Sequence, residues 1–243
     1  MPIWAPAPRR LRWWVGGAEL AWFRRVGEFY LGQLAESGLK AKSRVIEIGC
    51  GCGRIAGPLA RFLGPQASYL GVDVRSDLID FCREKITPAD PRFRFQRVDL
   101  KHPFYNPSGR LDAAQWRFSK LGRFDFVILV SVFTHLDMED ASHYLREIRR
   151  TLAPGGRAFV TAFLHSPRLL RRRRPRFDDL FPYRTSSARF NRELFAFSHS
   201  EPALLAECAR AGLELARPIR HGDWAAASPP GWPQQDAIVL RAV

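Results

Sequence analysis

The chain has 243 residues, 46% of them hydrophobic, and a formal net charge of +14. That length suits one domain with a large core, the apolar share is ordinary for a globular fold, and no apolar run is long enough to cross a bilayer. The excess charge raises the prospect of a nucleic-acid partner, but arginine is scattered along the chain and no stacked-aromatic RNA-binding motif or zinc finger is present, so nucleic acid is not the expected partner.

The first segment, residues 1–42, has proline-rich loops and then a helical pattern from Ala18 to Ser37, with Phe23, Val26, Phe29, Tyr30 and Leu34 at helical intervals. Trp13-Trp14-Val15 is interrupted by Arg9, Arg10, Arg12 and Glu19, which is not the pattern of a secretory leader; a cytoplasmic location is expected. Val45, Ile46 and Ile48 suit a buried parallel strand. Gly49, Gly51 and Gly53 follow, where the backbone turns tightly and can approach a ligand without Cβ interference. A helical stretch from Ile55 to Leu63 comes next, which is the layout of a nucleotide-type cofactor site.

The dinucleotide fingerprint needs a third small residue where Arg54 stands, and the phosphate-loop pattern needs a Gly-Lys-Ser/Thr that is missing. Further strands are expected at Tyr69–Val74, Phe93–Val98, Phe124–Val130 and Arg157–Phe163. Asp73 lies about 20 residues past the glycines, the spacing at which an acid reaches ribose hydroxyls, and Asp99 follows the third strand. An amphipathic helix is expected from Asp140 to Leu152, ended by Pro154-Gly155-Gly156.

Glu47 before the glycine turn, then Asp73 and Asp99 at successive strand ends, resemble the class I S-adenosylmethionine-dependent methyltransferases. The turn Leu152-Ala153-Pro154-Gly155-Gly156-Arg157 is similar to that family's approach to strand five. Tyr105-Asn106-Pro107-Ser108-Gly109 with Ser131-Val132-Phe133-Thr134-His135-Leu136 resembles a bacterial subgroup acting on small molecules or glycans. The resemblance implies an α/β Rossmann-like, doubly wound seven-stranded sheet with an antiparallel C-terminal hairpin and helices on both faces. It implies S-adenosylmethionine as cofactor, with Glu47, Gly49, Cys50, Gly51, Gly53, Asp73, Val74, Asp99, Leu100 and Ser131 on the cofactor side. Glycine-loop amides would hold the cofactor's amino-acid end, Asp73 the ribose and Asp99 the adenine. Arg54 should point away from the sulfonium or toward the cofactor's carboxylate.

One domain, 1–243, is expected: a helical cap (1–42), the cofactor core (43–163), a basic insertion or lid (165–200), and a C-terminal helix and hairpin (201–243). That last part reads as a helix from Glu201 to Ala211 and strands at Leu213–Ile219 and Ala237–Val243. The connection Lys101–Arg123 is long enough for a substrate wall, with Tyr105 and Asn106 as hydrogen-bonding groups. The run Arg168 to Arg176, beside Phe177, Leu180, Phe181 and Tyr183, has three readings: a solvated loop, a binder of anionic substrate, or a contact with anionic lipid headgroups. Cys50, Cys52, Cys82 and Cys208 read as structural thiols, and no Cys/His pairing has metal-ligand spacing, so no metal is expected.

His135, after strand four at the open end of the sheet, is the first candidate for a base that takes a proton from an acceptor hydroxyl. Its alternative role is to cap or pack the next helix. His165 and His221 are the other candidates near substrate; His102, His143 and His199 have no positional argument. The expected activity is methylation of a small molecule or glycan, at oxygen. RNA methylation, a non-catalytic S-adenosylmethionine-binding scaffold and a nicotinamide-dependent oxidoreductase are the rivals. The oligomeric state is left open.

Overall fold

The structure, a computed structural model, describes residues 4–165, 187–191, 196–224 and 234–243, with side chains left out for 187–191 and 196. The run Arg168–Arg176 with Phe177, Leu180, Phe181 and Tyr183 lies outside the described residues.

The N-terminal cap is two helices, α1 (Arg9–Trp13) and α2 (Leu20–Glu36). Then β1 (Arg44–Ile48), α3 (Ala56–Phe62), β2 (Ser68–Asp73), α4 (Ser76–Phe81), β3 (Phe93–Arg97), β4 (Phe124–Leu129), α5 (Met138–Thr151) and β5 (Leu152–Ala162) alternate along the chain. After β6 (Leu164–His165), β7 (Ser187–Asn191) and β8 (Ala196–Ser200) come α6 (Glu201–Arg210), β9 (Leu213–Leu215) and β10 (Asp236–Ala242).

Seven strands form one sheet in the order β3-β2-β1-β4-β5-β10-β9. β1 to β5 run parallel, and β10 runs antiparallel to both β5 and β9. The expected doubly wound sheet with its C-terminal hairpin is the architecture observed. Alternation along the strands explains why both faces are covered. Ile46, Ile48, Val127 and Leu129 pack on one face with Tyr144, Leu145 and Ile148 of α5 and Leu204 of α6. Val45, Tyr69, Phe93 and Ile128 pack on the other with Val26, Tyr30 and Leu34 of α2 and Leu59 of α3. No helix among the described residues is long and apolar enough to cross a membrane.

Three details depart from the sequence expectation. Pro154-Gly155-Gly156 does not precede strand five but lies inside it: Phe124 faces Leu152 while Phe126 faces Arg157, so the turn is absorbed as a bulge. Gly155 has φ +73°, and a side chain at Gly156 would come within 2.9 Å of the Ala153 carbonyl, which is why glycine stands at both places. β9 stops at Leu215 rather than Ile219; the Arg217-Pro218 stretch carries a residue without an N–H, and pairing resumes at Arg220 against Ala237. The ends of the 165–200 segment are not loop: β6, β8 and β7 make a separate three-stranded sheet, with Leu164 facing His199.

Candidate functional site

The carboxyl ends of β1, β2 and β4 lie side by side at one edge of the parallel sheet, the edge at which such folds bind ligands. Gly49, Gly51 and Gly53 have φ of +77°, +57° and +80°, a region that side-chain-bearing residues avoid. Space enforces the same choice. A Cβ at Gly49 would meet Val132 Cγ2 at 2.8 Å, at Gly51 Val15 Cγ1 at 2.4 Å, and at Gly53 Ile86 Cδ1 at 2.5 Å. The glycine turn is therefore in contact with both the N-terminal cap and the loop after β4.

The turn's own amides are largely spent on its shape. Gly49 and Cys50 N–H donate to the Val72 carbonyl at 2.7 and 3.0 Å, and Gly53 N–H donates to Cys50 O at 3.1 Å. Gly51 N–H donates to Asp73 Oδ2 at 2.8 Å. The Gly49, Cys50, Gly51 and Gly53 amides are thus paired within the protein rather than standing as the expected row of open donors. Cys50, Cys52 and Cys82 are buried, unbridged thiols around it, and burial pushes each thiol's pKa up. The Arg54 guanidinium donates to the Val15 carbonyl, tying the cap to the glycine turn.

Glu47 is buried on β1 and accepts from the Tyr69 hydroxyl on β2. Burial raises its pKa to about 7, against the lowering effect of that hydrogen bond. Asp73 ends β2; besides Gly51 it accepts from Arg75 N–H at 3.0 Å. Burial pushes its carboxyl up while these backbone donors hold it down. Two oxygens offer about four acceptor positions, so capacity for a diol remains. Val74, next along, is partly buried against the core. The Arg75 guanidinium is held by Asp77 at 2.8 and 3.0 Å and lies 3.6 Å from the centre of the Trp14 ring.

Asp99 departs from its expected role as an open acceptor for adenine. Arg97 and Asn106 donate to Oδ1 at 3.0 and 3.3 Å, and Arg110 donates to Oδ2 at 2.8 Å. Arg110, Asn106 and Arg97 hold its carboxyl below the usual range. Asp99 is thus the hub of the 99–111 loop. Asn106 is buried in that loop, its side-chain amide donating to the Leu100 carbonyl at 2.8 Å. Leu100 is a core side chain.

Tyr105 and His135 come together: the Tyr105 hydroxyl lies 3.4 Å from His135 Nε2, and the two rings stand 5.1 Å apart at 84°. Phe104 and Tyr105 both stack against Trp14, at 5.5 and 6.4 Å, so the cap, the 99–111 loop and the loop after β4 form one aromatic wall. The turn carrying His135 is held from behind. His199 Nε2 bonds the Phe133 carbonyl at 2.9 Å from the small sheet, and burial lowers the His199 pKa to about 4, so this buried ring stays neutral.

Ser131, at the end of β4, has φ +59°, the positive value of a non-glycine residue held by its surroundings. Its N–H donates to Thr161 Oγ1 at 2.8 Å, its Oγ accepts from Gln235 Nε2 at 2.9 Å, and Thr161 donates to Gln235 Oε1 at 2.5 Å. His165 and His221 have other partners. His165 Nδ1 lies 3.1 Å from Ser198 Oγ, buried, with its pKa lowered by burial. His221 Nδ1 lies 3.2 Å from Asp236 Oδ1. Asp236, buried at the start of β10, also accepts from Gly222 N–H, Trp224 Nε1 and Leu164 N–H at 2.9, 2.6 and 2.8 Å. Trp14, His102, Thr161, Gln235 and Asp236 escaped sequence reasoning. Trp14, Thr161, Gln235 and Asp236 gain their roles from partners far along the chain, whereas His102 bonds the nearby Phe104 and Tyr105 N–H groups.

Residues 45–156 match the model of a family described as a methyltransferase domain. The fatty-acid O-methyltransferase of Mycolicibacterium smegmatis is 32% identical over 133 residues, covering 53% of this chain and 40% of that protein. The demethylmenaquinone methyltransferase of Thermus thermophilus is 29% identical over 153 residues, covering 63% and 58%. The chain therefore spans less than two thirds of these curated relatives. Among solved structures, the magnesium protoporphyrin IX methyltransferase of Synechocystis with bound S-adenosylmethionine shares the fold at 17% identity and a TM-score of 0.54, covering 90% of this chain and 79% of that one. Residues 45–156 thus carry the match to a methyltransferase domain, on a fold shared with a structure that holds S-adenosylmethionine.

Proposed function

We propose that this protein is a methyltransferase acting on a hydroxyl of a small molecule or glycan. The observation that carries the reading is the joining of two groups at one edge of the sheet. The glycine turn and Asp73 lie on one side, the Tyr105–His135 pair on the other, and Val132 of the His135 loop sits against Gly49. The residues present fit the cofactor: the glycines keep the turn compact against Val15, Ile86 and Val132, and the Asp73 carboxylate keeps acceptor positions for a ribose diol. Gly49, Cys50, Gly51, Gly53, Asp73, Val74 and Ser131 would hold it. When bound, S-adenosylmethionine supplies a methyl group on a good leaving group.

What this chain adds is alignment and proton handling. With the cofactor bound, His135 would take up the proton of the acceptor hydroxyl by way of the Tyr105 hydroxyl, which lies 3.4 Å from its Nε2. Tyr105 holds the imidazole edge-on. Glu47 supports the strand beneath the glycine turn through Tyr69. The O-methyltransferase among the relatives supports an oxygen acceptor.

The test is a labelled-methyl assay on extracts of the source cell, with mass spectrometry of the product. His135→Ala is expected to lower transfer about 100-fold, in line with loss of a general base, with cofactor affinity by calorimetry within about twofold. Near-normal transfer by this variant removes His135 as the base; failure of the wild type to bind S-adenosylmethionine at millimolar concentration removes the whole reading.

A further inference from the structure

His102 opens the turn that carries Tyr105. Its Nδ1 accepts from the backbone N–H groups of both Phe104 and Tyr105, each at 3.1 Å. A ring nitrogen that accepts two N–H groups carries no proton, so the neutral ring has its proton on Nε2. The residue's own backbone exchanges two bonds with Asn106, at 3.0 and 2.9 Å, closing the turn from 102 to 106. Its ring stands 4.9 Å from that of Tyr105 and 5.3 Å from that of His135, perpendicular to the latter at 89°.

We propose that His102 is a positioning residue: its bare Nδ1 pins the Tyr105 backbone so that the Tyr105 hydroxyl meets His135 Nε2. Backbone geometry alone does not do this, because the two amides at 104 and 105 point inward to a side-chain acceptor. Burial, with His135 as second cause, lowers the His102 pKa to about 4, so the ring stays neutral. That suits its place, since a second cation here would oppose proton uptake by His135. The consequence for turnover rests on His135 acting as the base; the pinning itself does not.

The experiment uses the full chain with ¹⁵N-labelled histidine and reads ring-nitrogen shifts by NMR at neutral pH, without acceptor. The wild type is expected to show an unprotonated His102 Nδ1; a protonated Nδ1 overturns the proposal. Tyr105→Phe, which removes only the hydroxyl, gives the reference shift of the His135 Nε2 signal. His102→Leu, which has no acceptor, is expected to move that signal in the same direction. His102→Asn, whose side-chain oxygen can accept the same two amides, is expected to leave it in place. His135 signals unmoved in His102→Leu, or moved equally in both variants, overturn the proposal. Should His102→Leu not fold, the wild-type tautomer and the His102→Asn signal still decide it. Because none of these readings uses methyl transfer, a normal His135→Ala turnover would sink the base assignment while leaving this result standing.

Discussion

On the β1–β2 side of the sheet's carboxyl edge the surface is made by backbone and by missing side chains. On the β4–β5 side it is made by side chains that arrive from separate segments. Gly49, Gly51 and Gly53 with Asp73 span 25 residues of sequence and two adjacent strands. Tyr105, His135, His199, Thr161 and Gln235 come from five places, and they meet only through hydrogen bonds and ring contacts. The first kind of surface depends on space, so it tolerates almost no added atom. The second depends on paired polar groups, so it fails when a partner is deleted.

Substitutions on each side sharpen that contrast. Asp236→Ala should have the largest effect on stability, because it strands the buried donor Leu164 N–H and the half-buried donors Gly222 N–H and Trp224 Nε1 where the main sheet meets β6. At 1–3 kcal/mol per stranded donor, a loss of about 4 kcal/mol is expected by urea unfolding. Cofactor affinity of the remaining folded protein should stay near wild type, since Asp236 belongs to the other side. A collapse of affinity with unchanged stability would erase the distinction.

Gly51→Ala should lower both stability and cofactor affinity. The φ of +57° costs about 1–2 kcal/mol for a side-chain-bearing residue, and the new methyl meets Val15 Cγ1. Overpacking adds roughly another 1–2 kcal/mol, for a total near 3 kcal/mol, and S-adenosylmethionine affinity by calorimetry should fall at least about tenfold. Adding Val15→Ala removes the clash but not the backbone cost, so it should return only part of the loss. Full recovery would mean that the cap, not the φ angle, requires glycine at 51.

The same contrast explains what the sequence made legible. The glycine turn and Asp73 lie at fixed spacings along adjacent strands, and a spacing can be read without coordinates. Strand alternation and the helical repeat of Tyr144, Leu145 and Ile148 likewise declare their faces locally. Asp99 misled because its position suggested an open acceptor, while its arginine partners at 97 and 110 are visible only once the loop closes. Asn106 misled for the same reason: a polar residue in a Pro-Gly loop reads as exposed, yet it is the loop's internal tie. The small sheet of β6, β8 and β7 was hidden because its strands flank a run of arginines that dominates the composition. His135 is proposed from its position alone; His199 braces its turn from a distant segment, and the His102 bonds to the Phe104 and Tyr105 N–H groups form only in the closed turn.

Glu47 is where a side-chain group sits on the backbone-built side, and it gives the smallest effect with a definite sign. Its pKa is about 7 in the fold and 4.5 as a free side chain. Between those values the folded state holds a proton that the unfolded chain has released, so stability should fall as pH rises from about 4.5 to about 7 and level off above. The full span bounds the contribution at roughly 3 kcal/mol. Glu47→Gln keeps an oxygen for the Tyr69 hydroxyl and removes the buried charge, so it should be more stable than wild type by about 2 kcal/mol at pH 8 and nearly equal to it at pH 4. Urea midpoints across that range check it. A parallel pH dependence in both proteins would mean that Glu47 stays ionised in the fold, and that the β1–β2 side carries a buried charge the cofactor's ammonium could meet.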